Sequence, residues 1–337
     1  MKKRLLSGIR PTGPLHIGHY LGVLKNWEKL QNEHECFYFI ADWHSLTTKY
    51  KDTCELQKDI IEVTKDILSS GIDPNKATLY VQSAIPEVAE LHLLLSMITF
   101  QNWVEREPTL KDMVKLLAED EKKAKEETTY GVLGYPVLMT ADIFSVLGEL
   151  VPVGKDQLSH LEFSRDLARR FNFIFKTNLF PEPEALLTET PSVPGIDGRK
   201  MSKSLNNDIR LLDNEKETTG KVLKMITDPK KIKLTDKGEP KDCQVAYKHY
   251  EIFADKNTLK TVQDECRNAK IGCVDCKKRL AGIINKSLTL IRNKRESLKK
   301  DSDITEILQI GNQRARKVAK ETLDKVRNVM KLRTWNC

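Results

Sequence analysis

Three groups of residues in this 337-residue chain have types and spacings suited to chemistry. The first is His16-Ile17-Gly18-His19, directly after Pro11-Thr12-Gly13-Pro14-Leu15. Two imidazoles three residues apart share one face of a helical turn and can donate hydrogen bonds to phosphate oxygens. No cysteine or carboxylate stands beside them, so the pair does not read as a metal site. Gly18 leaves the backbone open to close approach by a ligand. The second group is Lys200-Met201-Ser202-Lys203-Ser204, preceded by Gly198 and Arg199. Two ammonium groups and two hydroxyls on a glycine-flanked loop suit a mobile polyphosphate clamp. The third is Cys243, Cys266, Cys273 and Cys276, spaced C-x22-C-x6-C-x2-C. Four thiolates could hold one tetrahedral Zn²⁺ or a [4Fe–4S] cluster, and spacing does not choose between them. Cys36, Cys54 and Cys337 lie outside that set. Each group has a plainer alternative: packed histidines, an ordinary basic turn, and unliganded thiols.

The elements that must position these residues follow from hydrophobic patterning. Residues 4–9 read as a strand, and 17–30 as a helix. The apolar run at 36–42 is a strand of the doubly buried kind. Leu56, Ile60, Val63 and Ile67 recur at helical spacing within a helix over 53–70, and Gly71 stops it. A strand at 77–83 and a helix at 87–100 follow, then a strand at 150–154 that opens into a helix near Asp156. Strand and helix in alternation predict a parallel α/β sheet. The charged stretch 111–125 is a loop or an exposed helix. Beyond about residue 212 helical patterns dominate, and Ala315, Val318, Ala319, Thr322, Val326 and Val329 form one apolar stripe. Residues 190–200, with two prolines and two glycines, read as a flexible connector. The histidine pair therefore falls between the first strand and the first helix. In open α/β sheets ligands bind outside the carboxyl ends of the strands, and helix N-termini favour anions.

Charge separates two regions. Residues 277–333 carry 17 basic and 6 acidic side chains, a balance of +11, against −3 for the remainder. A basic tail on a near-neutral body suits a polyanionic partner such as nucleic acid. No run approaches the roughly 20 apolar residues of a membrane span. The basic start lacks the apolar stretch of a signal peptide, so a cytoplasmic protein without a disulfide framework is expected.

An HIGH sequence near the N-terminus and a KMSKS sequence about 180 residues later, in such a chain, resemble the class I aminoacyl-tRNA synthetases. The stretches SGIRPTGPLHIGHYLG, ADWHS, GYPVLMTADI and VPVGKDQLSHLEFSRDLARRFN are similar to the bacterial tryptophanyl branch, over most of residues 4–210. The tyrosyl branch shares the fold and is the nearest alternative, with a non-catalytic RNA-binding paralogue as another. The resemblance implies a Rossmann-like catalytic domain over residues 1–190 and a KMSKS loop and connector over 191–215. It implies a helical anticodon-binding domain over 216–310, and a C-terminal helix over 311–337 packing back on the catalytic part. It also implies ATP with Mg²⁺, L-tryptophan and tRNA(Trp) as ligands, in a homodimer.

By the same resemblance His16, His19, Lys200 and Lys203 are catalytic. Arg10, Pro11, Thr12, Gly18, His19, Gly154, Lys155, Asp156, Val193, Lys200, Met201, Ser202, Lys203 and Ser204 face ATP. Arg10 stands where many members of the family have Gln. Asp142 accepts the indole N–H, Tyr135, Met139 and Val153 line the ring, and His44 and Gln157 meet the polar end. An indole offers one donor and no acceptor, so a buried carboxylate suits it. Lys111 is a further phosphate candidate in a locally divergent stretch. For the four cysteines the resemblance favours a [4Fe–4S] cluster beside the anticodon, with Lys277, Lys278 and Arg279 as RNA contacts.

Overall fold

The computed structural model describes residues 2–107, 128–154, 158–187 and 193–332. Lys111, Lys155, Asp156, Gln157 and Cys337 fall outside these residues, as do the 111–125 stretch and the start of the helix expected near Asp156. Among the described residues five strands form one parallel sheet in the order β3-β2-β1-β4-β5. They are β1 (Arg4–Ile9), β2 (Glu35–Ile40), β3 (Thr78–Val81), β4 (Leu150–Val153) and β5 (Glu184–Leu187). The first four correspond to the apolar runs of the sequence. The fifth does not, because Glu184-Ala185-Leu186-Leu187 is short, incompletely buried and set among prolines. Along β2, Cys36, Tyr38 and Ile40 join the core on one face while Phe37 and Phe39 join the core on the other. A strand buried on both faces shows a continuous apolar run rather than alternation.

The first helix is not uniform. Ile17–His19 and Lys25–Glu33 are α-helical, and Tyr20–Leu24 between them is a π turn. Such turns are rare and collect at functional sites. The strand expected over 36–42 stops at Ile40, so Asp42 opens the helix Asp42–Lys49 instead. The helix expected over 87–100 is Pro86–Ser96, with proline in its first turn.

Edge strands carry unpaired backbone groups that native proteins cover. The long helix Asp301–Val329 covers β3 here. Val81 N–H donates to Asn312 Oδ1 at 2.9 Å. A Cβ added at Gly311 would lie 1.7 Å from the Leu79 carbonyl oxygen, so only glycine permits this backbone-to-backbone approach. Ala315, Ala319, Thr322 and Val326 of the predicted stripe are buried beneath it. The core on one face of the sheet continues into the C-terminal helices through Ile284, Leu288, Ile291, Ile304 and Leu308.

Residues 193–200 are an ordered turn rather than a loose connector. Pro194 and Lys200 form an antiparallel bridge. Gly195 N–H donates to the Arg199 carbonyl at 2.7 Å, and Gly198 turns the chain at φ +84°.

Candidate active site

Because β1 lies between β2 and β4, strand order reverses beside it, and the crevice at that switch point is where such sheets bind ligands. A cavity of about 570 Å³ opens there. Arg10 and Thr12, from the end of β1, line it with His19 and Asn26 of the first helix. Val153 and Gly154 enter from β4, His44 from the helix after β2, and Tyr135, Met139 and Asp142 from the helix Tyr135–Ser145. Lys200 closes the rim. Ten of the candidate residues thus share one space.

The two signature segments are fastened together by backbone. Ile17 N–H donates to the Ile209 carbonyl at 3.0 Å, and Leu211 N–H to the Leu15 carbonyl at 2.9 Å. His16 and Arg210 form an antiparallel bridge. Lys203 Nζ reaches across to the Gly13 carbonyl at 2.5 Å and Thr12 Oγ1 at 3.4 Å. Asn207 is the pin of the loop: its Oδ1 accepts from Ser202 N–H at 2.8 Å, while its Nδ2 donates to Asp197 at 2.7 Å and the Lys200 carbonyl at 3.2 Å.

The histidines cap their own helix. His16 Nδ1 accepts from Gly18 N–H at 3.1 Å, and His19 Nδ1 accepts from His16 N–H at 3.3 Å. Burial lowers the His16 pKa from 6.5 to about 4, with Asp208 opposing and Lys203 assisting. Burial, then His16 and Lys203, lowers His19 to about 2. Both rings are therefore neutral near pH 7, and a neutral ring whose Nδ1 accepts must carry its proton on Nε2. Each histidine then offers one N–H donor without carrying a charge. Gly18 has a local explanation as well: a Cβ there would sit 2.9 Å from the His16 ring. Burial, against the pull of Asp59, Asp66 and Asp208, lowers Lys203 from 10.5 to about 8.

The opposite end of the cavity is a different environment. Asp142 is 1 % exposed. His44 Nε2 lies 2.7 Å from its Oδ2, and Gln82 Nε2 donates to both carboxylate oxygens at 2.8 Å. Burial raises the Asp142 pKa, while His44 and Gln82 hold it down. His44 Nδ1 is buried without a hydrogen-bond partner among the described residues. Tyr135 packs edge-on against His44, ring centres 4.9 Å apart.

The remaining candidates lie around the cavity rather than on it. Pro11 lines an adjoining hollow of about 330 Å³ that ends at Asp59. Val193 and Met201 are core residues beneath the loop, joined by a 3.3 Å hydrogen bond from Met201 N–H to the Val193 carbonyl. Ser202 and Ser204 hydroxyls bond each other at 2.9 Å. Sequence reasoning missed Gln82, Asn207 and Asp66, whose carboxylate takes the Leu15 N–H at 2.7 Å just ahead of His16. Gln82 immediately follows an apolar strand, a position that could have flagged it. Nothing local marks Asn207 or Asp66.

Cys243, Cys266, Cys273 and Cys276 line one small cavity, of about 30 Å³, with Lys231 and Lys277. As placed, no three His, Cys, Asp or Glu side chains among the described residues could hold a metal ion. Burial raises the pKa of Cys243 and Cys266 and pushes Cys276 up to about 11. Lys277 is turned inward, donating to the Leu223 carbonyl at 2.7 Å and the Met225 carbonyl at 3.3 Å. Lys278 pairs with Asp275 at 3.3 Å and Arg279 with Glu265 at 2.6 Å.

The chain as a whole has relatives among known proteins. The family model described as tRNA synthetases class I (W and Y) matches residues 1–289. A tryptophan–tRNA ligase of Aquifex aeolicus is 42% identical, the match covering 98% of this chain and 100% of the relative. That of Thermotoga maritima is 44% identical, over 98% and 99%. The crystal structure of the Campylobacter jejuni tryptophanyl-tRNA synthetase complexed with ADP and tryptophan superposes with a TM-score of 0.87, at 34% identity, covering 98% of this chain and 100% of that one.

Proposed function

The chain belongs to the class I tRNA synthetases of the tryptophan and tyrosine type, and on that footing we propose how its cavity works as a tryptophan–tRNA ligase. In the first step the tryptophan carboxylate attacks the α-phosphate of ATP, and pyrophosphate leaves. In the second, the 2′-hydroxyl of the terminal tRNA adenosine takes the tryptophanyl group and AMP leaves. Neither step needs a side-chain nucleophile, so catalysis is positioning and charge stabilisation. ATP enters with Mg²⁺ on its phosphates, whose oxygens this hard cation prefers.

His16 and His19 donate through Nε2–H to the α- and β-phosphates. Lys200 and Lys203 neutralise the departing pyrophosphate, and Lys203 must leave the Gly13 carbonyl to do so, a loop motion of the gating kind. Arg10, Thr12 and Gly154 face the nucleotide. Asp142 accepts the indole N–H, Tyr135, Met139 and Val153 flank the ring, and His44 Nδ1 accepts from the substrate's ammonium group. The observation that carries this reading is one cavity with the two signature segments at one end and a buried carboxylate at the other. Amino-acid-dependent ATP–pyrophosphate exchange with all twenty amino acids tests it. Tryptophan alone should drive exchange, and exchange driven by tyrosine would overturn the assignment.

Three further readings accompany this one. Leu93, Met97, Phe100 and Tyr130 are exposed, and their apolar side chains favour a homodimer through the α/β part, checked by light scattering. Among the described residues no helix is long and apolar enough to cross a membrane, which suits work on tRNA in the cytoplasm. For the four cysteines we propose a [4Fe–4S] cluster: all four line one small cavity, and their thiolates would be its ligands. The cluster would tie the segment around Cys243 to the two helices carrying Cys266, Cys273 and Cys276. About four irons per chain are expected after anaerobic purification, and an iron-free anaerobic sample overturns the cluster.

A further inference from the structure

Gln82 is the first residue after β3 and is completely buried. Its amide orientation is fixed on one side by backbone. Oε1 accepts from Trp43 N–H at 3.1 Å and His44 N–H at 3.4 Å, at the start of the helix Asp42–Lys49. Two donors there require the oxygen to face them, so the NH₂ must face Asp142. It lies 2.8 Å from each carboxylate oxygen. His44 meets Oδ2 at 2.7 Å, and the same helix start supplies that histidine.

We propose that Gln82 is the positioning residue that sets tryptophan specificity: it orients the Asp142 carboxylate so that one lone pair is kept for the indole N–H. The inference rests on the assignment of Asp142 to the indole. A carboxylate has about four acceptor directions, and only a fixed plane aims one of them at a single ligand donor. Two protein donors set that plane. One comes from a side chain whose other end is locked to backbone, so the carboxylate cannot rotate to follow a differently shaped ligand. A glutamate at the same position would retain the acceptor toward Trp43 and His44 but would set an anion against Asp142. A methionine would retain the volume and lose both functions.

The test compares tryptophan with β-(3-benzothienyl)alanine, in which sulfur replaces the indole N–H, by pyrophosphate exchange in the full-length wild type and in Gln82→Met and Gln82→Glu. A site built around a donor rejects an analogue that lacks it. In the wild type kcat/KM should favour tryptophan at least ~100-fold. Both variants should lose at least ~10-fold for tryptophan and almost nothing for the analogue, so the ratio collapses while the KM for ATP stays unchanged. Equal losses for both ligands, with the wild-type ratio preserved, would overturn the proposal, because a merely structural role moves both alike. Absence of discrimination in the wild type would remove the Asp142 assignment itself, and this inference with it. The two variants fail differently if folding is the cause, and thermal melting beside each assay separates that from a change in ratio.

Discussion

The two ends of the cavity, on the functions proposed above, solve opposite problems. At the proposed nucleotide end the ligand would be an anion, yet the donors nearest the first helix are two neutral imidazoles held by backbone, with Lys203 on the neighbouring loop holding the Gly13 carbonyl. At the proposed amino-acid end the ligand group would be a neutral ring, yet the protein buries a carboxylate and fixes it with two side chains. On this proposal charge stands where it could be withdrawn from an anion that must leave, and is kept rigid where a weak donor must be recognised. Electrostatic help that appears only in the transition state raises kcat, whereas rigid polar complementarity sets selectivity.

The largest break in this contrast should come from Lys203→Ala. We expect kcat for tryptophan-dependent exchange to fall by roughly 100-fold or more, with the KM for tryptophan unchanged, as for loss of one transition-state donor. A loss smaller than about 10-fold would place Lys203 outside the reaction. Asp142→Asn should act at the other end. Losing a charge-assisted acceptor costs about 1.5–3 kcal/mol, so kcat/KM for tryptophan should drop roughly 10- to 100-fold while the KM for ATP holds. Isothermal titration of each ligand alone checks the separation.

Acidity sharpens the comparison. Lys203 titrates near pH 8 in the free protein, so kcat/KM for ATP, which follows free-enzyme ionisation, should decline as pH rises through 8. Lys203→Arg should carry the plateau to higher pH. The histidines impose no matching decline between pH 7 and 5, because they protonate near 4 and 2. They do affect stability. Their folded pKa values lie below the unfolded 6.5, so the unfolded chain takes up the proton first and stability falls as pH drops from 6.5 toward 4. His16→Asn should lessen that fall in thermal melts recorded at pH 7 and pH 5. The smallest effect expected is that of Asn207→Ala. It frees the lysine loop and should lower kcat about 10-fold without changing tryptophan binding, since pinning contributes orientation rather than charge.

Much of this arrangement was legible in residue order because it depends on local pattern. Apolar runs marked β1 to β4, and a helix entrance after β1 gave the histidines a setting before any contact was known. What escaped was tertiary. β5 is only four residues long and lies among prolines. The π turn at Tyr20–Leu24 has the same composition as an ordinary helix. Gln82, Asn207 and Asp66 matter because of what the fold brings beside them, across 60 residues between Gln82 and Asp142 and 51 between Asp66 and Leu15. The prolines and glycines of 190–200 read as a flexible connector, whereas cross-bridges that no local pattern reveals order 193–200 into a turn. Lys277 looked like a surface cation, whereas helix-end carbonyls draw it inward.

The claim on which the rest depends is that the histidine turn and the lysine loop act on a single triphosphate. A double-mutant cycle on kcat with His19→Asn and Lys203→Ala measures it. Groups serving one transition state are strongly non-additive, so the double variant should lose far less than the product of the two single losses. Strictly multiplicative losses would mean that the two segments act independently, and would contradict the account.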